Sequence, residues 1–539
     1  MKIQDLNKQL WDGLDSWKTL WRPIHELMLP YRSRLEDQEN QNWGKEKADL
    51  RFDGTATRSL RILSAGMHGG LTNPSAKWFR LGLEDLNLSK VSAVRRWLDD
   101  VENILYAQLR KSNFYQAVQN NYLEAAGFGT TALFSEAHSS GVGVWFRVIT
   151  TGDFAIATDY QGRVNTLFRR DWLTLQQIVD RFGQDKLQES QKTLYENQPY
   201  HMIKVIHGVL PRTGHDVTKV DIKNMPFQSV YFDPGAPESQ PFLGEGGFKS
   251  FPYHVPRWDV VGNNAYGYSP GMDALPDVRS INGITADLLT AVEKEVNPPV
   301  NVPAELEDGL DLMPGGRNTS TNNAKVTATY QISPNLSAGS ELKREFKNDI
   351  GEWFYTPLFI LLANPNATAT EIAKKNEEQL IQMGPVIQRM FIELLNPAIG
   401  RTFSICNGQG LIPPAPPEAQ QQGINIEYIG TLAQAQKLVG VQKLERFVGF
   451  VGGVAEIFPQ APDNVDIDKL IQEHADGTGV PNGVLNSDKV ILQIREARAQ
   501  RAAEQAQQER AMAGAQTAQA LSNAKTGEAN MLTEAQGAA

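Results

Sequence analysis

Eight histidines, one cysteine and a few acidic pairs are the residues of this 539-residue chain that could do covalent or metal chemistry. None has the spacing such chemistry needs. His25, His68, His138, His201, His207, His215, His254 and His474 include no H-E-x-x-H pair. His201 and His207 stand six apart, which suits neither a helical nor an alternating-strand ligand pair. Cys406 is alone, so it builds neither a thiolate zinc site nor an intramolecular disulfide, and it reads as a small buried apolar residue. Adjacent carboxylates such as Asp99 and Asp100 point apart on a helix and read as a solvated face. Asp233 opens an Asp-Pro-Gly turn. There is no phosphate-binding G-x-x-x-x-G-K-[ST] and no G-x-S-x-G elbow. GMHGG and GFGTT follow helical segments, not strands, so neither has the context of a dinucleotide site. The chain reads as non-enzymatic, with no metal and no cofactor.

Chemistry without bond-making is better represented. Lys343, Arg344 and Lys347 share one helical segment with Glu341, Glu345, Asp349 and Glu352. They are the candidates for contact with a nucleic-acid backbone, and Arg495, Arg498 and Arg501 form a weaker set. A tight binder concentrates positive charge and interleaves aromatics. Here the net charge is −10 and the charges are mixed. Each neutralised phosphate adds affinity, so mixed or acidic walls suit a duplex that must slide past and not stay.

The element with the clearest mechanical pattern runs from Leu362 to Arg401. Thr368 and Glu371 have capping-box spacing. Ile372, Leu380, Met383, Ile387, Met390 and Leu394 then form one apolar stripe at three- and four-residue steps. Gly384-Pro385 falls inside the stripe. Pro385 has no N–H for the carbonyl of Ile381 and its ring crowds that turn, so a kink is expected there. Asn396-Pro397 is expected to close the segment. A bent helix headed by a polar loop suits a part that senses or guides.

Around it, the chain reads as α+β and predominantly helical. Residues 1 to about 135 carry helical stripes at Leu6, Leu10, Leu14, Trp17, Trp21 and Ile24, and at Leu60, Leu63 and Met67. From about 140 to 260, alternating Val, Ile, Thr and aromatics with Gly punctuation predict strands and hairpins, interrupted by a helix over Leu175 to Phe182. Leu275, Val278, Ile281, Leu288, Val292 and Val296 predict a helix stopped by Asn297-Pro298-Pro299. Gly283 interrupts it at about 1 kcal/mol, so packing is expected to hold it. A turn-rich module follows. A second helix, capped by Ser337 or Ser340, carries Leu342, Phe346, Ile350 and Phe354 into Pro357. Two helices flanking a compact module make a hairpin, a stalk with a tip. LIPPAPP at 411–417 is a stiff linker. Helices follow over Leu432 to Phe458 and Asp466 to His474. A last long helix starts at Ser487-Asp488 and is so poor in large apolar residues that it needs partners. The longest apolar runs, Phe354 to Ala363 and Phe447 to Phe458, fall short of the ~20 residues that span a bilayer. Without a span, Gly449 and Gly453 imply only close packing.

Five stretches, in order, carry a resemblance: FDGTATRSLRILSAGMHGGLTNPSAKWF (Phe52 to Phe79), LRKSNFYQAVQNNYLEAAGFGTTALF (Leu109 to Phe134), YGYSPGMDALPDVRSIN (Tyr266 to Asn282), VEKEVNPPV (Val292 to Val300) and NATATEIAKKNEEQLIQMGPVIQRMFIELLNPAIGR. Together they resemble the head-to-tail connector, or portal, family of short-tailed phages. That resemblance implies a portal fold of wing, two-helix stem, clip, crown and C-terminal barrel, assembled as a dodecameric ring. Residues 1–265 would be the wing, 266–298 and 336–362 the stem helices, and 299–335 the clip. Residues 363–396 would be the tunnel loop and kinked helix, and 397–425 a return strand of the wing with the Pro-rich linker. Residues 426–484 would be the crown, 485–522 the barrel and 523–539 a disordered tail. The tunnel loop would bring Asn364 and Asn366 to the DNA channel, and both are neutral. Thr368, Glu371, Gly384 and Pro385 would set its helix. Arg317, Asn318 and Lys325 would face outward on the clip. The implied partners are copies of the chain, double-stranded DNA held transiently, the terminase large subunit, the major capsid protein, the scaffolding protein, and tail adaptor and internal core proteins, with no membrane. The implied place is the portal vertex of the virion, after assembly in the host cytoplasm. The competing reading is an oligomeric adaptor of the virion that never encloses DNA.

Overall fold

In the computed structural model the described residues are, apart from isolated positions, 3–35, 51–85, 91–236, 242–296, 336–362, 377–478 and 488–524, with the pairs 300–301 and 327–328. The chain divides into two compact units, Met1–Phe447 and Val448–Ala539. In the first, α1 (Ile3–Leu27), α2 (Thr55–Leu71), β1 (Phe79–Leu83), α3 (Ser92–Lys111) and α4 (Phe114–Phe128) come first. Both expected stripes face inward. Leu14, Trp21, Ile24, Leu60, Leu63 and Met67 are fully buried, while Leu6, Leu10 and Trp17 pack at the edge of the core. Gly129 ends α4 at φ +82, where a Cβ would meet the carbonyl oxygen of Gly267 at 2.2 Å. Only glycine fits that approach.

The β-rich part holds β2 (Ala132–Ala137), β3 (Val144–Ile149), β4 (Phe154–Thr158), β5 (Val164–Thr174), α5 (Leu175–Phe182), α6 (Glu189–Asn197), β6 (Met202–Pro211), β7 (Phe227–Phe232), β8 (Gly244–Phe248) and β9 (Tyr253–His254). Five strands form an antiparallel meander in the order β4-β5-β6-β7-β8, and β3-β2-β9 form a second sheet. α5 begins with a complete capping box between Thr174 and Gln177, which satisfies donors that a helix start leaves open. Asp233 is structural. Its side chain accepts from Gly235 N, Gln188 Nε2 and Gln191 Nε2.

Several polar groups buried between the sheets and α1–α4 are paired. Arg169 meets Asp171 at 3.0 Å and lies over the Phe134 ring. His207 bonds Tyr253 Oη and Ser229 Oγ, and burial together with Arg169 holds its pKa well below the ordinary value. The Glu124 carboxylate accepts from Thr151 N, and burial pushes its pKa up from 4.5 to about 7. Burial likewise raises Asp153, the partner of Arg34 and Arg170, to about 6. A carboxyl whose folded pKa is raised binds its proton more tightly in the native state, so stability falls as pH climbs from the unfolded to the folded pKa. Between pH 6 and pH 7 the wild-type chain should lose about 1 kcal/mol through Glu124. Glu124→Gln should lose most of that slope and keep only the smaller share from Asp153, and equal slopes in thermal unfolding would contradict the assignment.

Next come α7 (Pro270–Asp273), α8 (Leu275–Val296), the pair β10 (Val300–Asn301) and β11 (Thr327–Ala328), α9 (Leu336–Trp353) and α10 (Thr356–Leu362). Then follow α11 (Glu377–Met390), a π-helical turn (Phe391–Leu395), α12 (Asn396–Gly408), β12 (Ile424–Tyr428) and α13 (Thr431–Ala455). β12 pairs antiparallel with β1, joining Ile424–Tyr428 to the N-terminal part. Leu380, Met383, Ile387, Met390 and Leu394 are all fully buried, as the stripe requires. Cys406 is buried too, and burial raises its thiol to about 11.

Five expectations need correction. Asn396-Pro397 does not close the long helix, which continues through the π turn to Gly408. Residues 397–408 are therefore helix, and the strand that follows is Ile424–Tyr428. Neither Ser337 nor Ser340 caps the second stalk helix, because it starts at Leu336. That helix breaks ahead of Pro357, at Tyr355, the one described non-glycine residue with positive φ (51°). Gly283 is exposed and a Cβ there would touch nothing within 4 Å, so no packing among the described residues holds it. Gly449 and Gly453 are equally open.

The second unit carries the end of α13, α14 (Ile467–Thr478) and the 37-residue α15 (Asp488–Ala524). Arg495 forms a two-point ion pair with Asp468 at 2.6 and 2.8 Å. Val490, Leu492, Ile494 and Met512 are exposed, as expected of a helix that lacks partners in a single chain.

Candidate functional site

The helical hairpin of α8 and α9 is the best-defined candidate. Its helices are antiparallel neighbours by packing and by what joins their ends. β10 follows α8 after three residues and pairs with β11, Val300 to Ala328 and Asn301 to Thr327, before α9 begins. The helices approach closely where Gly339 meets Leu288; a Cβ there would lie 2.8 Å from Leu288 Cδ2. At the other end Trp353 Nε1 donates to Asp277 Oδ2 at 2.8 Å. Val278, Ile281, Ile350 and Phe354 anchor that end in the core. Towards β10 the faces open, and Leu289, Val292 and Val296 are 50%, 44% and 80% exposed.

A short segment, 51–54, locks the base of the hairpin. Asn282 Oδ1 on α8 accepts from Phe52 N at 2.8 Å and Asp53 N at 3.1 Å. The Asp53 carboxylate takes Lys343 at 3.3 Å and Lys347 at 3.9 Å from α9. Burial alone would raise the Asp53 pKa. Hydrogen bonds from Thr55 and the Lys343 ammonium outweigh it and hold the carboxyl below the ordinary range. Two of the three lysine and arginine candidates are thus brought together, on an internal carboxylate. Arg344 lies apart and pairs with Glu341 at 3.5 Å. Asn282→Ala would strand two backbone donors at a cost of about 1–3 kcal/mol. Hydrogen exchange at Phe52 and Asp53 should accelerate in that variant, with Asn282→Asp restoring most of the protection.

The long helix bearing Pro385 is seated by its π turn. Glu393 in that turn accepts from Arg257 N at 2.8 Å and from the Arg257 guanidinium, which is almost fully buried. Phe391 stacks on Tyr428 at 3.8 Å and 4°, and Tyr428 Oη donates to Asn396 Oδ1. Gly384 lets α11 approach α13: a Cβ there would lie 2.7 Å from Gln436 Nε2. Pro385 stays inside helical geometry. Asn364, Asn366, Thr368, Glu371, Arg317, Asn318 and Lys325 lie outside the described residues. The sequence offered no sign of Asp53, Asn282, Arg257 or Glu393. Each acts across more than 100 residues, beyond the reach of local patterns.

Among the described residues no group of three or more His, Cys, Asp or Glu side chains could hold a metal ion, and no helix is long and apolar enough to cross a membrane. Residues 1–485 match the family described as bacteriophage head to tail connecting protein. The chain belongs to that family. It is 36% identical over 508 residues to a probable portal protein of Bordetella phage BPP-1, covering 92% of this chain and 91% of that one. It is 32% identical over 503 residues to the portal protein of Salmonella phage epsilon15, covering 92% and 90%. Among solved structures, chains from the virion of a native gene transfer agent particle (TM-score 0.32, 11% identity) and from the neck of an empty one (TM-score 0.33, 10% identity) align with 74% of this chain and 87% and 86% of theirs. The predominantly helical portal fold, with its β-rich insert, is that of a head-to-tail connecting protein.

Proposed function

We propose that this portal protein works as a ring of identical copies, twelve in number, around a channel for double-stranded DNA. The genome enters through the ring under the action of a terminase and leaves through it at ejection, and the tail attaches to the same ring. The observation that carries the reading is the family match over residues 1–485, coupled to the α8–α9 hairpin. In this reading the hairpin is the stem, 299–335 is the clip offered to terminase and then to the tail adaptor, and α11 leads down from the tunnel loop. The apolar surface of Leu289, Val292 and Val296 supports it, since such residues are left exposed in one chain and covered by a neighbour in a ring. α15, too polar to fold alone, suits a multi-copy barrel. The duplex is guided by shape and weak repulsion, without bond chemistry, because a grip on many phosphates would stall it. The scaffolding and capsid proteins would contact the outside of the ring.

The buried, unreactive Cys406 makes a direct test available, since an introduced cysteine is then the reactive thiol. A photo-crosslinker on Asn366→Cys should form adducts with packaged DNA. No adduct from Asn366→Cys or Asn364→Cys in DNA-filled particles would overturn the placing of that loop at the channel.

A further inference from the structure

Two faces of opposite charge stand on neighbouring helices, and among the described residues neither meets the other. On α2 the face opposite the buried stripe presents Arg58 and Arg61, both exposed, with Ala65 and Gly69 continuing it. The two arginines line one groove with Arg51, which donates to Thr57 Oγ1 at 3.1 Å. The carboxylate lining that groove, Asp53, already faces Lys343 and Lys347. Among the described residues Arg58 and Arg61 make no ion pair and no side-chain hydrogen bond. On α9, Glu341, Glu345 and Glu352 recur at four and seven residues, are all exposed, and lie opposite the Phe346–Ile350–Phe354 face. Arg344 beside them is taken by Glu341.

We propose that these faces are the two halves of one contact between copies: the arginine groove on α2 of one subunit receives the glutamate stripe on α9 of the next. The proposal rests on the ring reading above. A closed ring of identical chains is built from heterologous contacts, in which each copy offers two different, complementary surfaces. One chain cannot satisfy its own groove with its own stripe. Lys343 and Lys347 reach the groove from one side of α9, and at 100° per residue the glutamates lie about half a turn away. The spacing also fits. Side chains three or four apart on a helix stand about 5–6 Å apart, so two Arg–Glu pairs can form side by side. Opposite charge sets the register and speeds the encounter of subunits, and like charges meeting there would oppose it. A second copy is favoured over a nucleic acid because the matching acidic surface is on this same chain, at the matching spacing.

The test is the concentration at which the purified full chain passes from monomer to ring, followed by mass photometry. Arg58→Glu with Arg61→Glu should raise that concentration by more than about tenfold, as should Glu341→Arg with Glu345→Arg. Combining all four changes should bring it back to within about threefold of wild type. All these positions are exposed, so circular dichroism of the monomers should be unchanged. If the wild type forms rings but the paired reversals leave the midpoint alone, or the fourfold variant stays as defective as its parents, the contact is wrong and the ring stands. If the arginine reversals assemble normally but retain less DNA, the groove serves nucleic acid and the proposal falls. If the wild type forms no ring under any condition, the functional reading itself fails and takes this contact with it.

Discussion

Replacing Glu393 by alanine should lower the stability of the first unit by about 3–5 kcal/mol, because it leaves a buried guanidinium with no counter-charge. Arg257 is 4% exposed, and its side chain also reaches the Gly162 carbonyl. Glu393 answers it with both carboxylate oxygens and accepts its backbone N–H as well. The contact links the long helix, at its π turn, to the start of the segment that leads into α7. Glu393→Gln keeps the acceptor and loses the charge, so its cost should be about half as large. Urea unfolding checks both, and a loss under about 1 kcal/mol for the alanine variant would show that Arg257 finds water or another acceptor.

Pro385→Ala should do the opposite to stability and harm function. Proline inside a helix forfeits one hydrogen bond and crowds the preceding turn, so alanine should gain up to about 3 kcal/mol of local helix stability. The buried stripe on either side, Leu380 and Met383 before it and Ile387 and Met390 after it, is unchanged by the substitution. Rings should therefore assemble. A bend at Pro385, the expectation drawn from its missing N–H, is what alanine would remove, and with it the course of the helix in the proposed channel. DNA-filled particles should fall by more than about tenfold, the equivalent of 1.4 kcal/mol in whichever step uses the bend. Normal packaging by a ring that is more heat-stable would remove the bend from the mechanism.

What the sequence reveals follows from the range over which each signal acts. Stripes and alternation are local and survived: the inward face of α1, the burial from Leu380 to Leu394, and the helix over Leu175 to Phe182 all reflect neighbours within four residues. The stop read at Asn396-Pro397 failed for a physical reason. Asn396 N bonds to the carbonyl of Phe391, five residues back, and this wider turn gives the Pro397 ring room it would lack against an i−4 carbonyl. The proline then sits at the first turn of α12, where its missing N–H is no loss. A π turn has no composition of its own, so nothing in the chain announced it. Lys343 and Lys347 read as a solvated face or a DNA contact until the fold brought Asp53, some 290 residues away, against them. Gly283 shows the same limit from the other side. The helix tolerates it without packing from the described residues, so local sequence does not show what meets its conformational cost.

Electron cryo-microscopy of the purified protein, averaged in views down its symmetry axis, tests the central claim most directly. The account predicts a closed ring in which α8–α9 hairpins from identical subunits surround a hole wide enough for duplex DNA. A compact dimer, a filament, or a ring whose centre is filled by protein would contradict it.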